Sequence, residues 1–223
     1  MPAKKLKNKN LSPSALRRQR EREYRYQTIL TAAESLFAKK GYHKTSMEQI
    51  ANASEISVGA VYFYFKNKED LLIRLMDEIG YLLRKTLASV FKKNGATMEG
   101  FKLAGYAFFE DFCVNYSEKC AIIFRESTGQ SPLVEQLRKT IFDKCTGDVL
   151  NALLSATRKK GLTFKNEISS EVISVSIMGI YERVAYQYLF WQDQSQELTI
   201  IGRNAVDFIL GGINNLINES LSI

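Results

Sequence analysis

The chain has 223 residues, of which 45% are hydrophobic and 25% charged, so it is long enough and apolar enough for one large or two small folded domains. It contains no apolar run near the roughly 20 residues of a membrane span, and no apolar segment typical of a signal peptide follows its basic N-terminus. Three scattered cysteines suit a reducing compartment, so we expect a cytoplasmic protein with no membrane partner.

The net charge of +7 comes from one end of the chain. Residues 1–20 carry seven basic and no acidic side chains, whereas residues 76–223 carry sixteen basic and seventeen acidic ones. A basic excess confined to one segment indicates a polyanionic partner. We predict that residues 1–20 form a basic flexible arm that strengthens nucleic-acid binding through counterion release. A disordered, solubilising leader is the alternative.

The first part of the chain predicts four helices. The first spans about 14–40, where apolar residues recur every three or four positions, and glycine ends it at position 41. The second begins at Ser46, which with Gln49 has the spacing of a capping box. The third spans about 57–63, and a long fourth helix runs from Lys68 to about residue 91.

Residues 46–72 have the spacing of a helix-turn-helix, which places its second helix in a DNA major groove. They resemble the TetR family of bacterial transcriptional regulators, whose pattern runs roughly I-A-x-x-A-G-V-S-x-G-x-(L/V)-Y-x-(Y/H)-F-x-(S/N)-K-(E/D)-x-L. The matching residues are Ile50, Ala51, Ser57, Gly59, Val61, Tyr62, Tyr64, Phe65, Asn67, Lys68, Glu69 and Leu71. The family usually has glycine in the turn where this chain has Glu55, so we expect a positive φ there.

The resemblance and the local chemistry together predict the residues that contact DNA. Candidates for phosphate contacts around the start of the second helix are Tyr42, His43, Lys44, Thr45 and Ser46. Candidates on and around the recognition helix are Ser57, Val58, Gly59, Ala60, Tyr62 and Tyr64. Lys68 matches the family position that holds the DNA backbone. Because this helix has no Arg, Asn or Gln, we expect modest specificity per base, with Val58 and Ala60 against thymine methyl groups.

The remainder of the chain predicts five more helices, at about 97–115, 118–127, 132–160, 168–192 and 197–219. The fold class is therefore all-α with about nine helices. We divide it into the arm, a helix-turn-helix domain at 21–67 and an effector-binding and dimerisation domain at 68–223. The last two helices each carry two apolar stripes, which favours a homodimer through a four-helix bundle, as the resemblance also implies. Deep burial within one subunit is the alternative.

Aromatic residues at helical spacing suggest an apolar effector cavity in the second domain. The candidate ligand-binding residues are Phe101, Phe108, Phe109, Phe112, Phe124, Arg125, Tyr181 and Tyr188. For any one of the aromatic residues, simple core packing is the alternative. A small apolar or amphipathic effector is expected; no cofactor or metal is expected, because the chain has one histidine and no C-x-x-C pair.

These features predict a ligand-responsive transcriptional regulator, foremost a repressor, that binds a palindromic operator in double-stranded DNA as a dimer and is released by its effector. An effector-independent DNA-binding structural or adaptor protein is the alternative. An enzyme is disfavoured, because the chain lacks a P-loop, a G-x-G-x-x-G motif and a His/Glu metal pair.

Overall fold

The computed structural model describes residues 12–166 and 168–219. These residues form nine α-helices: α1 (Pro13–Lys40), α2 (Met47–Ala53), α3 (Val58–Tyr64), α4 (Lys68–Asn94), α5 (Met98–Ala107), α6 (Ser117–Ala121), α7 (Pro132–Lys159), α8 (Ser169–Tyr186) and α9 (Leu198–Leu216). The all-α class predicted from the sequence is confirmed. The chain divides into two compact units, with the boundary between Leu71 and Leu72.

The first unit is built on α1, whose two ends follow the local sequence. The Ser12 hydroxyl accepts a hydrogen bond from the Ala15 amide, and Pro13 occupies the first helical position, where no amide donor is needed. The helix ends at Gly41, whose φ of 92° is one that residues with a side chain rarely adopt. Of the predicted basic arm, residues 1–11 lie outside the described residues, and 13–20 instead form the first two turns of α1.

The core of the first unit is a small apolar cluster. Fully buried α1 residues, among them Ile29 and Phe37, share it with residues of α2 and α3. Phe65, which follows α3, stacks on Tyr26 with a ring separation of 4.9 Å. This packing fixes the two short helices, which are too short to be stable alone.

Three helices of the second unit continue into wider, π-helical turns. Phe108–Cys113 extends α5, Ile122–Glu126 extends α6, and Gln187–Trp191 extends α8. The sequence predicted the combined spans as continuous helices, because hydrophobic periodicity does not separate a π turn from an α turn. A 3₁₀ turn at Ser195–Glu197 precedes α9.

Two short strands were missed. β1 (Leu162–Phe164) pairs antiparallel with β2 (Ile217–Glu219), and Thr163 lies opposite Asn218. The prediction that the last helix extends to residue 219 is therefore wrong for its final three residues. Three residues are too few to show the alternation of a strand, and the pairing joins segments more than fifty residues apart.

Aromatic side chains fill the centre of the second unit. Phe108 packs on Phe109 and Tyr181 with ring separations of 4.9 and 5.0 Å. Helix α9 approaches this cluster at Gly202, where a Cβ atom would lie 2.3 Å from Cγ of Phe109. Only glycine allows this approach. None of the helices in the described part of the chain is both long and apolar enough to cross a membrane.

Candidate DNA-binding surface and effector cavity

The helix-turn-helix is held by side-chain caps. The Ser46 hydroxyl accepts from the Gln49 amide at 3.2 Å, and the Gln49 side chain accepts from the Ser46 amide at 3.1 Å, so the predicted capping box is confirmed. Ser57 caps α3 by accepting from the Ala60 amide. In the turn, Glu55 has a φ of 55°, as the missing glycine led us to expect.

The recognition helix α3 turns one face to the core and one to solvent. Val61 is completely buried, whereas Gly59 and Tyr62 are exposed. The structure adds Phe63, which is 71% exposed and lies one turn after Gly59 on the same face. Phe63 was not among the predicted residues because the family pattern leaves its position open; its i+4 spacing from Gly59 was the available signal.

Val58 and Ala60 are half-buried, and so is Tyr64, whose ring meets that of Phe63 edge-on at 5.3 Å. On the other side of Phe63, the Arg22 guanidinium of α1 lies 5.7 Å from the ring centre. This arrangement places a positive charge beside the exposed aromatic surface, where a DNA phosphate would be attracted.

Lys68 holds the loop that precedes α2. Its ammonium donates to the carbonyl oxygens of Tyr42 at 2.7 Å and Thr45 at 2.9 Å, and lies 4.4 Å from the centre of the Tyr42 ring. Burial lowers the pKa of Lys68 and raises that of Tyr42. The ammonium that the sequence assigned to the DNA backbone is therefore already engaged by the protein.

Thr45 is 2% exposed, and its hydroxyl donates to the Gly41 carbonyl at 2.9 Å. The prediction that its side chain binds phosphate is wrong for this conformation, because the hydroxyl supports the loop. His43 and Lys44 are exposed on the same loop, and Ser46 is half-buried. His43, Lys44 and the backbone amides at the start of α2 therefore remain the predicted phosphate contacts of this loop.

The second unit contains a cavity of about 540 Å³ between α4, α5, α7 and α8. One wall is buried and apolar apart from Cys145 and the Tyr181 hydroxyl; it consists of Phe101, Ala104, Gly105, Cys145, Ile177 and Tyr181. The opposite rim is exposed and polar, and its members include Tyr81, Lys85, Asp148 and Asn151. A cavity of this size with one apolar wall and a polar rim suits an amphipathic small molecule.

Only two of the predicted ligand-binding residues, Phe101 and Tyr181, line this cavity. The other aromatic candidates are packed core or lie elsewhere: Phe108, Phe109, Phe112 and Phe124 are buried against one another, and Tyr188 does not reach the cavity. Arg125 is held by Glu126 at 2.6 Å and lies 5.1 Å from the Phe190 ring centre. None of these six residues lines this cavity: the four phenylalanines are packed core, Arg125 is ion-paired, and ligand binding by any of the six stays a prediction.

Helices α4 and α7 also line the cavity, which the sequence did not predict. Arg84 of α4 makes a two-point ion pair with Asp148 of α7, at 2.5 and 3.0 Å, and both line the cavity. Phe91 lines it too. Polar residues at helical spacing usually lie on a solvated face, and no local pattern revealed that these two helices meet.

A further apolar surface lies on the last two helices, and we call it the α8–α9 face. Its members are 54 to 74% exposed: Ile168, Val172 and Val175 at and along α8, and Ile200 and Phe208 along α9. A Cβ atom at Gly179, Gly211 or Gly212 would meet no atom within 4 Å. Ile177 of α8 and Val206 of α9 are buried, so each of the two helices carries both covered and open apolar residues.

Comparison with known proteins identifies the family of the DNA-binding segment. The sequence model described as "Bacterial regulatory proteins, tetR family" matches residues 29–75, the stretch that holds the capped helix-turn-helix. This segment therefore carries the DNA-binding region of the TetR family. This regulator is 25% identical over 199 residues to the fatty acid metabolism regulator protein of Bacillus subtilis, covering 88% of this chain and 99% of that protein. It is 24% identical over 195 residues to the transcriptional activator FasR of Mycolicibacterium smegmatis, covering 87% and 85%.

The fold of the regulator has close solved counterparts. FadR from Bacillus subtilis, in a complex with stearoyl-CoA, superposes with a TM-score of 0.72 at 21% identity, covering 84% of this chain and 98% of that one. FadR from Bacillus halodurans gives the same TM-score, identity and coverage. The family and these relatives are DNA-binding transcriptional regulators, so the prediction of a regulator instead of an enzyme is confirmed. Within the described residues, no three His, Cys, Asp or Glu side chains cluster as a metal site would require.

Proposed function

We propose that the regulator is a dimeric repressor that binds a palindromic operator and leaves it when a long-chain acyl compound occupies the cavity. The observation that carries this proposal is the 540 Å³ cavity, which has an apolar buried wall and a polar rim that includes Arg84 and Lys85. A fatty acyl group with a charged head has the matching division into apolar and polar parts.

The names of the relatives support the acyl chemistry. One is a fatty acid metabolism regulator, and the solved FadR from Bacillus subtilis is in a complex with stearoyl-CoA. Burial of each methylene group contributes about 0.8 kcal/mol, so a long acyl chain supplies most of the affinity such a cavity can provide. The polar rim is then left to recognise the head.

The α8–α9 face supports the dimer. Five apolar side chains more than half exposed, together with three glycines that leave room for close approach, form a surface suited to a second copy of the same two helices. Pairing related by a two-fold axis gives a four-helix bundle. A symmetric dimer is also what successive major grooves require, since half-sites lie about 34–36 Å apart or at a multiple of that distance.

A transcriptional activator is the second candidate, because FasR, which matches most of this chain, is an activator. The proposed sign of regulation therefore depends on how the effector changes DNA affinity. An effector-independent DNA-binding protein would have no use for the cavity.

The test begins with selection of binding sites from a random DNA pool by the purified protein at near-physiological salt, followed by addition of stearoyl-CoA. We expect enrichment of one palindrome and release of that DNA by stearoyl-CoA, with coenzyme A as the matched control that leaves the complex intact. Recovery of unselected DNA would contradict sequence-specific regulation. Tighter binding with stearoyl-CoA would favour an acyl-dependent activator over the proposed repressor.

A further inference from the structure

The Tyr181 hydroxyl is a buried polar group without a protein partner. The residue is 6% exposed and lines the cavity, and no described residue makes a hydrogen bond with its hydroxyl. Among the described residues, Arg138 Nε is the only fully enclosed side-chain nitrogen or oxygen without a hydrogen-bond partner. The Tyr181 oxygen, which also has no partner, is therefore not fully enclosed and reaches the cavity. A hydroxyl that reaches the cavity and is not used by the protein is available to donate a hydrogen bond to a ligand there.

The surrounding residues fix the position of this hydroxyl. Phe108 stacks on the Tyr181 ring at 5.0 Å, and Phe109 meets it edge-on at 5.2 Å. The oxygen lies against Gly105, where a Cβ atom would be only 2.3 Å away, so the absence of a side chain at Gly105 makes room for it. Burial raises the pKa of Tyr181 well above its usual range, so the hydroxyl keeps its proton and is a donor at physiological pH.

The charges around the cavity lie away from this donor. The buried wall around Tyr181 carries no charged side chain among the residues described; burial raises the pKa of Cys145 to about 11, so its thiol is neutral. On the more exposed side, Arg84 is ion-paired with Asp148, and Lys85 is the exposed basic group. A carboxylate placed at Tyr181 would be buried without a cation, which is unfavourable.

We infer that Tyr181 donates a hydrogen bond to the carbonyl oxygen of an acyl thioester, while Lys85 attracts the phosphates of its carrier, so that the cavity selects the thioester over the free fatty acid. This inference rests on the acyl effector of the proposed function. A free acid satisfies only one of the two sites: with its carboxylate at Lys85, it leaves the Tyr181 hydroxyl against methylene groups. An acyl-CoA thioester carries a neutral carbonyl acceptor and, farther along the molecule, anionic phosphates, so it can occupy both the Tyr181 site and the basic site.

The experiment is calorimetric titration of the full-length protein with stearoyl-CoA, with the S-octadecyl thioether of coenzyme A, which lacks the carbonyl, and with stearate. Wild type and Tyr181→Phe are compared, and Tyr188→Phe is the matched control because Tyr188 does not line the cavity. We expect wild type and the control to bind the thioester roughly three- to tenfold more tightly than the thioether. Tyr181→Phe should lose this preference by weakening the thioester alone, and stearate should bind more weakly than stearoyl-CoA throughout.

The outcomes separate this inference from the proposed function. Binding of both coenzyme A compounds by wild type with equal affinity, or a preference that survives in Tyr181→Phe, overturns the role of Tyr181 and leaves the acyl effector in place. Stearate binding as tightly as stearoyl-CoA overturns the selectivity. Binding of none of the three ligands overturns the acyl effector itself. The comparison of ligands on wild type needs no variant, so it holds even if Tyr181→Phe folds poorly.

Discussion

Replacing Phe208 by glutamate should separate the dimer without unfolding the subunit. Phe208 is 74% exposed on the α8–α9 face, so its side chain contributes little to the core of its own subunit. Full burial of a phenylalanine contributes about 1.5–3 kcal/mol, and about three quarters of this side chain is available to a partner. Because a two-fold axis presents the residue twice, the loss is roughly 2–4 kcal/mol per dimer, or about 30- to 1,000-fold in its dissociation constant.

The assay is sedimentation equilibrium across protein concentrations, paired with thermal unfolding and operator binding. Leu133→Glu is the matched control, because Leu133 is 60% exposed on α7, outside this face. We expect Phe208→Glu to dissociate at concentrations where wild type and the control remain dimeric, and to bind the operator more weakly. A Phe208→Glu protein that dimerises like wild type would refute the α8–α9 face as the dimer interface.

Three further predictions concern the cavity and the packing. Acyl-CoA affinity should rise about tenfold or more for every two methylene groups added until the cavity is filled, because each methylene contributes about 0.8 kcal/mol. Titration with a chain-length series checks this, and an affinity independent of chain length would contradict an acyl site. Gly202→Ala should lower the free energy of unfolding by about 1–3 kcal/mol, since its Cβ would overlap Phe109. Gly147→Ala, whose Cβ would meet no atom within 4 Å, should raise the free energy of unfolding by about 0.5–1 kcal/mol. Equal effects of the two variants in denaturant titrations would count against the packing of α9 on Phe109. Ser46→Ala should cost about 1 kcal/mol by removing the cap of α2, measured by the same titrations, and an unchanged midpoint would argue against the capping box.

Features governed by neighbours in the sequence were predictable. Ser46 and Ser57 cap α2 and α3 because a hydroxyl just before a helix reaches the amide three residues on, which depends on local geometry alone. The positive φ of Glu55 followed from the tight turn between the two helices. Helices α1 and α7 begin and end within about a residue of the predicted positions, since glycine, proline and capping residues mark their ends.

Features governed by distant contacts were not predictable. The aromatic spacing indicated burial, but it did not separate Tyr181, which faces the cavity, from Phe112, which is packed core. Arg84 and Asp148 are 64 positions apart, and each looks like an ordinary surface residue in its own helix. Lys68 was assigned to DNA by its place in the motif, yet it faces a loop 23 to 26 residues earlier in the chain.

The contacts of Lys68 have a mechanical consequence for the DNA-binding unit. One side chain from the first turn of α4 donates hydrogen bonds to the carbonyls on either side of His43 and Lys44, so a displacement of the start of α4 either breaks these bonds or moves the loop with it. As long as these hydrogen bonds hold, His43 and Lys44 move together with the start of α4. Lys68 thereby couples the position of the α4 N-terminus to that of the exposed residues His43 and Lys44.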